Sequence, residues 1–268
     1  FLLAQLSILG TSVLLNKIIQ KNKIVGVGDV FSGVLFLMFM IGFQNIHHYY
    51  RELMSLFLIT LANNSLICLY NVKKNYLKEF KVGILYGLSI LITPSLFSMP
   101  ILVMIGISLV LPFTWRDLLI PFLGCLWVLL FIYSLLFVLN IDSFNPLFEL
   151  YFSIPEINLA PDLENILILF LLLFELVLFF RIFSNLEKRS IKDRVFYWLW
   201  IWTLFFLIIS YIFFNECFEK YFLILSLCLP CSLFGTEFFP KKKKLMGYWR
   251  KECLIYLLII VQLSLRIY

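Results

Sequence analysis

The sequence predicts an all-α fold: a polytopic transmembrane helical bundle of about ten helices, including a short two-helix hairpin at about 82–113. Three observations predict this fold. The chain of 268 residues is 62% hydrophobic and 14% charged, and its mean hydropathy is +0.98. Soluble domains carry about 25% charged and about 45–50% apolar residues, so lipid must solvate much of this surface. Apolar stretches also recur along the chain, and the breaks between them alternate in charge.

The charge of the breaks predicts the orientation of the bundle. Lysine and arginine are retained on the cytoplasmic side of a membrane that a chain crosses repeatedly. The basic breaks are 17–23, 73–81, 181–194 and 241–251, and the acidic or nearly neutral ones are 44–52, 140–164 and 216–220. We therefore expect a multi-pass protein of the bacterial inner (cytoplasmic) membrane, with the basic loops cytoplasmic and the 140–164 loop periplasmic.

A crossing helix needs about 17 to 25 residues, and the first three predicted spans, at about 1–16, 28–44 and 53–71, are close to that length. The first span leads into a basic break, so it begins on the outer side. The sequence starts inside an apolar run without Met. We therefore expect one further helix upstream of Phe1.

The apolar stretch 82–113 is too long for one untilted span, and Pro94 and Pro100 interrupt it. Proline removes a helical hydrogen bond and disfavours helix in the preceding residue. We expect two short helices whose connecting tip, about 94–99, lies outside. A single kinked helix is the alternative, but it would invert every later loop. The acidic 140–164 loop and the basic 241–251 break favour the hairpin.

The remaining predicted spans are 118–139, 164–182, 195–214, 219–236 and 252–266. The 140–164 loop contains an apolar segment, 144–154, which we expect to lie along the membrane surface as an interfacial helix. No internal repeat is visible, and no loop is large enough to fold independently. The whole chain, 1–268, is therefore predicted to be a single integral membrane domain.

Glu175 is the intramembrane polar candidate, because it is the only acidic residue deep inside a predicted span. A carboxylate at that depth costs about 2.5–3.5 kcal/mol, so it normally faces protein or water. One interpretation is a proton or ion relay, or an anchor for a partner helix. The plainer interpretation is a protonated carboxyl that hydrogen-bonds a neighbouring helix, with Asn63, Asn64 or Thr93 as the acceptor.

His47, His48 and Glu52 are candidates at an outer turn, where a histidine could act as a base. A metal site needs three or four converging ligands. His47 and His48 are the only two histidines of the chain, so we predict no metal site. We interpret the turn as part of the belt of Tyr and His side chains at the membrane interface.

The last basic break provides lipid-headgroup candidates, which sit beside the aromatic residues Tyr248 and Trp249. They are Lys241, Lys242, Lys243, Lys244, Arg250 and Lys251. Their plainer role is to anchor the topology.

Cys228 and Cys231 have CxxC spacing, but no histidine or acidic residue lies near them in the sequence, which favours two small apolar side chains over a redox or metal pair. The acidic residues in 142–164 could hold a divalent cation or form a catalytic carboxylate pair, but they have neither Asp-x-Asp nor EF-hand spacing, and orientation alone explains the missing Lys and Arg. No nucleotide-binding or hydrolase motif occurs, so we predict no cofactor and identify no catalytic residue.

The basic residues lie in short loops beside apolar spans, which argues against a nucleic-acid partner.

Three consecutive parts of the chain resemble known membrane protein families. They are the segment from Phe80 to Pro94, the apolar helix after it and the stretch from Trp115-Arg116-Asp117 to Gly124. They resemble an uncharacterised multi-spanning inner-membrane protein family of Bacteroidota, most strongly over about 80–140. The same hairpin is similar to the middle of GT-C glycosyltransferases, which transfer a sugar from a polyprenyl-phosphate carrier. The acidic catalytic residues of those enzymes precede the part that corresponds to this chain, so none can be assigned here.

Two functions follow as expectations. The first is a non-enzymatic integral subunit or scaffold of a cell-envelope complex, whose partners are membrane lipids and other membrane proteins. The scarcity of polar groups inside the spans favours it, because such helices offer packing surface rather than chemistry. The alternative, which the resemblance implies, is a GT-C-like glycosyltransferase or a protein that handles a polyprenyl-phosphate carrier. Whether the chain is an enzyme stays open at this point.

Overall fold

The computed structural model describes residues 2–22, 31–41, 46–70, 75–111, 114–139, 163–213 and 220–236. In these ranges the chain is all-α, as predicted, with helices and two short 3₁₀ segments and no strand. The helices are α1 Leu2–Asn22, α2 Phe31–Ile41, α3 Tyr50–Ile67, α4 Tyr76–Ile92, α5 Met99–Val110, α6 Trp115–Val138, α7 Leu163–Leu186, α8 Ile191–Phe213 and α9 Lys220–Gly235. The 3₁₀ segments are Ile46–Tyr49 and Pro94–Ser98.

Several helices extend further than the apolar stretches that predicted them. Helix α1 continues from the predicted end at residue 16 to Asn22, through Lys17 and Lys21. Lysine favours helix and reaches water along its flexible stem, so charge at the end of a span does not end the helix. The predicted interfacial helix at 144–154 and the predicted last span at 252–266 lie outside the described residues.

Three of the described helices are long and apolar enough to cross a membrane. They are Leu2–Asn22, Trp115–Val138 and the segment Ile191–Ile212 of α8. Shorter apolar helices cover Phe31–Met40, Pro94–Val110 and Phe222–Gly235. Their length and composition indicate a membrane protein.

The predicted two-helix hairpin is confirmed, as α4 and α5 with a break between them. Thr93 leaves the helical region, with φ −133° and ψ 90°, directly before Pro94. Pro100 lies in the first turn of α5, where its missing amide costs nothing. Helix α4 begins at Tyr76, earlier than predicted, because the Asn75 side chain accepts a hydrogen bond from the backbone amide of Lys78.

Helices α4 and α6 run parallel and in close contact along a seam of small residues. A Cβ atom on Gly83 would lie 2.9 Å from the Cα of Pro121, and one on Gly87 would lie 3.1 Å from the Cα of Cys125. Both contact positions advance in the same direction along the two helices, so the helices are parallel. Helix α5 must therefore return the chain between them, as the hairpin requires.

The helices divide into two compact units. The first comprises 1–50, 158–193 and 223–268, and so contains α1, α2, α7 and most of α9. Its core includes most of α9, in which every residue from 223 to 235 is buried. The second comprises 51–157 and 194–222, and so contains α3 to α6 and most of α8. Large buried side chains in its core include Tyr86, Tyr197 and Trp200.

Candidate functional site

Glu175 lies on the buried stripe of α7, which faces the interior of the first unit. Leu171, Glu175, Leu178 and Ile182 recur at the three- and four-residue spacing of one helix face, and all four are buried. The neighbouring positions Leu172, Leu173, Leu176 and Val177 are exposed. The Glu175 side chain is only 6% exposed. The carboxyl group therefore points into protein, as expected for a polar group at that depth.

Cys228 and Cys231 of α9 lie beside this carboxyl group. Both are free thiols and fully buried, and their three-residue spacing places them on one side of the helix. The Sγ atom of Cys231 is 4.0 Å from the carbonyl oxygen of Leu171, one turn before Glu175. This contact places the buried cysteine face of α9 against the part of α7 that carries the Glu175 side chain. The CxxC pair has no acidic residue near it in the sequence, but α7 brings Glu175 close to it in the fold.

The two carboxyl oxygens of Glu175 have no hydrogen-bond partner among the described residues. The predicted bond to Asn63, Asn64 or Thr93 is therefore not formed there. A thiol is a weak donor, so the sulfur atoms compensate the carboxyl group poorly. Pro230 lies between the cysteines and removes the amide that would bond the carbonyl oxygen of Ser226. The cluster concentrates uncompensated polar atoms in an apolar interior, and its thiols are too buried to act as nucleophiles.

A second polar cluster joins three helices of the second unit. The side-chain amide of Asn63 in α3 donates to Thr203 Oγ1 in α8 at 2.9 Å. Its carbonyl oxygen accepts a hydrogen bond from the Tyr86 hydroxyl in α4. Asn63, Tyr86 and Thr203 are all buried, so these bonds form away from water. Interhelical bonds of this kind fix how membrane helices pack.

Glu79 and Asp117 lie at the start of the α4–α6 seam. Glu79 stands four residues before Gly83, and Asp117 four before Pro121, so the contact of Gly83 with Pro121 places the two acids at the same level. They are 0% and 1% exposed. Sequence reasoning treated both as charges of cytoplasmic breaks and missed this burial. The available signal was the helix-favouring sequence around each acid, which extends α4 and α6 past them.

The outer-turn candidates do not form a metal-binding cluster with other polar side chains in the described part of the chain. His48 is exposed in the first 3₁₀ segment, and Glu52 is half-buried in the first turn of α3. His47 lies in the same 3₁₀ segment. No group of three or more His, Cys, Asp or Glu side chains in the described part of the chain could hold a metal ion. The lipid-headgroup candidates Lys241, Lys242, Lys243, Lys244, Arg250 and Lys251 lie outside the described residues.

Comparison with known proteins places the chain in one family. A family model, described as a family of unknown function (DUF6427), matches residues 3–268. No curated protein and no solved structure gives a significant match.

Proposed function

Because the chain belongs to DUF6427, a family of unknown function, we propose a role from its own geometry: it is a non-enzymatic integral subunit or scaffold of a cell-envelope complex. We place it in the inner membrane of Bacteroidota, as the resemblance over 80–140 implies. Its partners on this proposal are membrane lipids and at least one other membrane protein.

The surface of α6 supports this role. All of its buried residues lie between Asp117 and Val128, on the side that packs against α4. From 129 to 139 no residue is buried by the described part of the chain. The second half of this long apolar helix is thus mostly exposed, with half-buried side chains only at Leu129, Ile132 and Leu136, and it can contact lipid or another protein.

Trp127 is the single observation that carries the proposal. It lies near the middle of α6 and its side chain is 60% exposed. Tryptophan is enriched at membrane–water interfaces, because its indole N–H seeks a polar partner. A tryptophan exposed at the middle of a spanning helix would meet only hydrocarbon unless a neighbouring protein supplies an acceptor. We therefore place a partner helix against this part of α6.

A photoreactive amino acid at position 127 tests this placement in intact membranes. We expect a cross-link to one defined protein, which also purifies with the tagged wild-type chain in fixed stoichiometry in mild detergent. The same photoreactive residue at position 180 is the matched control, because Phe180 on α7 is 63% exposed and has no polar atom to satisfy. Cross-links to lipid alone at both positions, together with a clean monomer in detergent, would overturn the proposal.

The proposed topology keeps the basic breaks cytoplasmic and the 140–164 loop periplasmic. The parallel arrangement of α4 and α6 supports it. The N-terminal ends of both helices lie on the same side, and both ends carry basic residues. Lys78, Lys81 and Arg116 lie in or near these first turns. Reporter fusions after residues 73 and 140 test the topology: we expect cytoplasmic and periplasmic signals, respectively, and the reverse would contradict it.

The alternative is a GT-C-like glycosyltransferase or a protein that handles a polyprenyl-phosphate carrier. The order of elements favours it: a Gly- and Leu-containing helix, a break at Pro94, a second apolar helix, and then α6 beginning with Trp115 and Arg116. Membranes that overproduce the protein should then transfer a labelled sugar from a polyprenyl-phosphate donor. Transfer no greater than in membranes lacking the protein would remove this alternative.

A further inference from the structure

We draw no further inference here: the strongest candidate, the side-chain cluster of Glu175, Cys228 and Cys231 buried between α7 and α9, belongs to the site already described, and nothing among the described residues indicates a ligand for it, since no group of their side chains could hold a metal ion.

Discussion

Gly83 of α4 lies directly against the backbone of Pro121 in α6. A Cβ atom on Gly83 would lie 2.7 Å from the carbonyl carbon of Pro121 and 2.9 Å from its Cα. Gly124 contributes to the same seam, because a Cβ there would lie 2.5 Å from the carbonyl oxygen of Phe80. Backbone atoms cannot move aside as the end of a side chain can, so only glycine fits at these positions. The close approach of α4 and α6 therefore depends on the absence of a Cβ atom.

Replacing Gly83 by Ala should destabilise the protein. The added methyl group must push α4 away from α6, and overpacking of this kind costs about 1–3 kcal/mol. The control is Gly106→Ala in α5, where the new Cβ would meet only the side-chain ends of Leu66 and Leu199, each at 3.0 Å. Thermal unfolding in detergent checks the pair of variants. Equal melting temperatures for Gly83→Ala and Gly106→Ala would contradict the seam.

Asn63 and Tyr86 should show an energetic coupling. Asn63→Ala leaves the buried Tyr86 hydroxyl and Thr203 Oγ1 without their partner, which should cost about 1–3 kcal/mol. Tyr86→Phe removes one bond together with the group that needs it and should cost less. A double-mutant cycle measured by unfolding should give a coupling of about 0.5–2 kcal/mol. The neighbouring Asn64→Ala is the control, since Asn64 is half-buried and its side-chain oxygen lies 3.9 Å from the Cys68 sulfur of the same helical turn, away from Tyr86 and Thr203. A coupling near zero would contradict the network.

The hairpin could be predicted from the sequence, whereas the partners of the buried polar groups could not. Pro94 and Pro100 act locally, so their effect on the backbone is visible in sequence. Glu175 and the CxxC pair lie on different helices, and apolar stretches without strong periodicity do not reveal which faces meet. The charged residues around Glu79 and Asp117 suggested that both acids lie in exposed loops. Helices α4 and α6 instead begin before these acids, and the packing of the two helices buries them.

Asn16 of α1 should hold the start of α2. Its Oδ1 atom accepts hydrogen bonds from the Ser32 hydroxyl at 2.8 Å and from the Gly33 amide at 2.7 Å. Asn16→Ala leaves the first turn of α2 without this cap, at a cost of about 0.5–2 kcal/mol. Hydrogen–deuterium exchange should show faster exchange in the first turn of α2. Asn22→Ala is the control, because the Asn22 amide bonds only a carbonyl of its own helix. Unchanged exchange in α2 after Asn16→Ala would count against the cap.

The described cysteines should react with a maleimide in the order of their exposure. Cys68 is half-buried, whereas Cys125, Cys228 and Cys231 are 3%, 0% and 0% exposed. We expect site-resolved mass spectrometry of the native protein in detergent to find modification at Cys68 first. The three buried thiols should react only after denaturation. Rapid native modification of Cys228 or Cys231 would reveal a path into the contact between α7 and α9, and would reopen a redox role for the CxxC pair.

Glu175→Leu should stabilise the protein. The buried carboxyl oxygens have no hydrogen-bond partner among the described residues, and an unsatisfied buried polar group costs about 1–3 kcal/mol. Leucine has a similar volume and belongs to the apolar type that fills the rest of this α7 stripe. We therefore expect a higher melting temperature in detergent. Glu187→Leu, in the exposed turn after α7, is the control and should change little.

The variant Glu175→Gln tests whether the Glu175 carboxyl group destabilises the protein as an unpartnered polar group or stabilises it through a hydrogen bond. Glutamine keeps the shape and hydrogen-bonding capacity of the protonated acid but cannot ionise. If Glu175 has no partner, Gln should be close to wild type in stability and Leu should exceed both. A loss of stability in Glu175→Leu that Glu175→Gln restores would show that the carboxyl group has a hydrogen-bond partner. A loss in both variants would show that the ionised carboxylate itself is needed in the contact between α7 and α9.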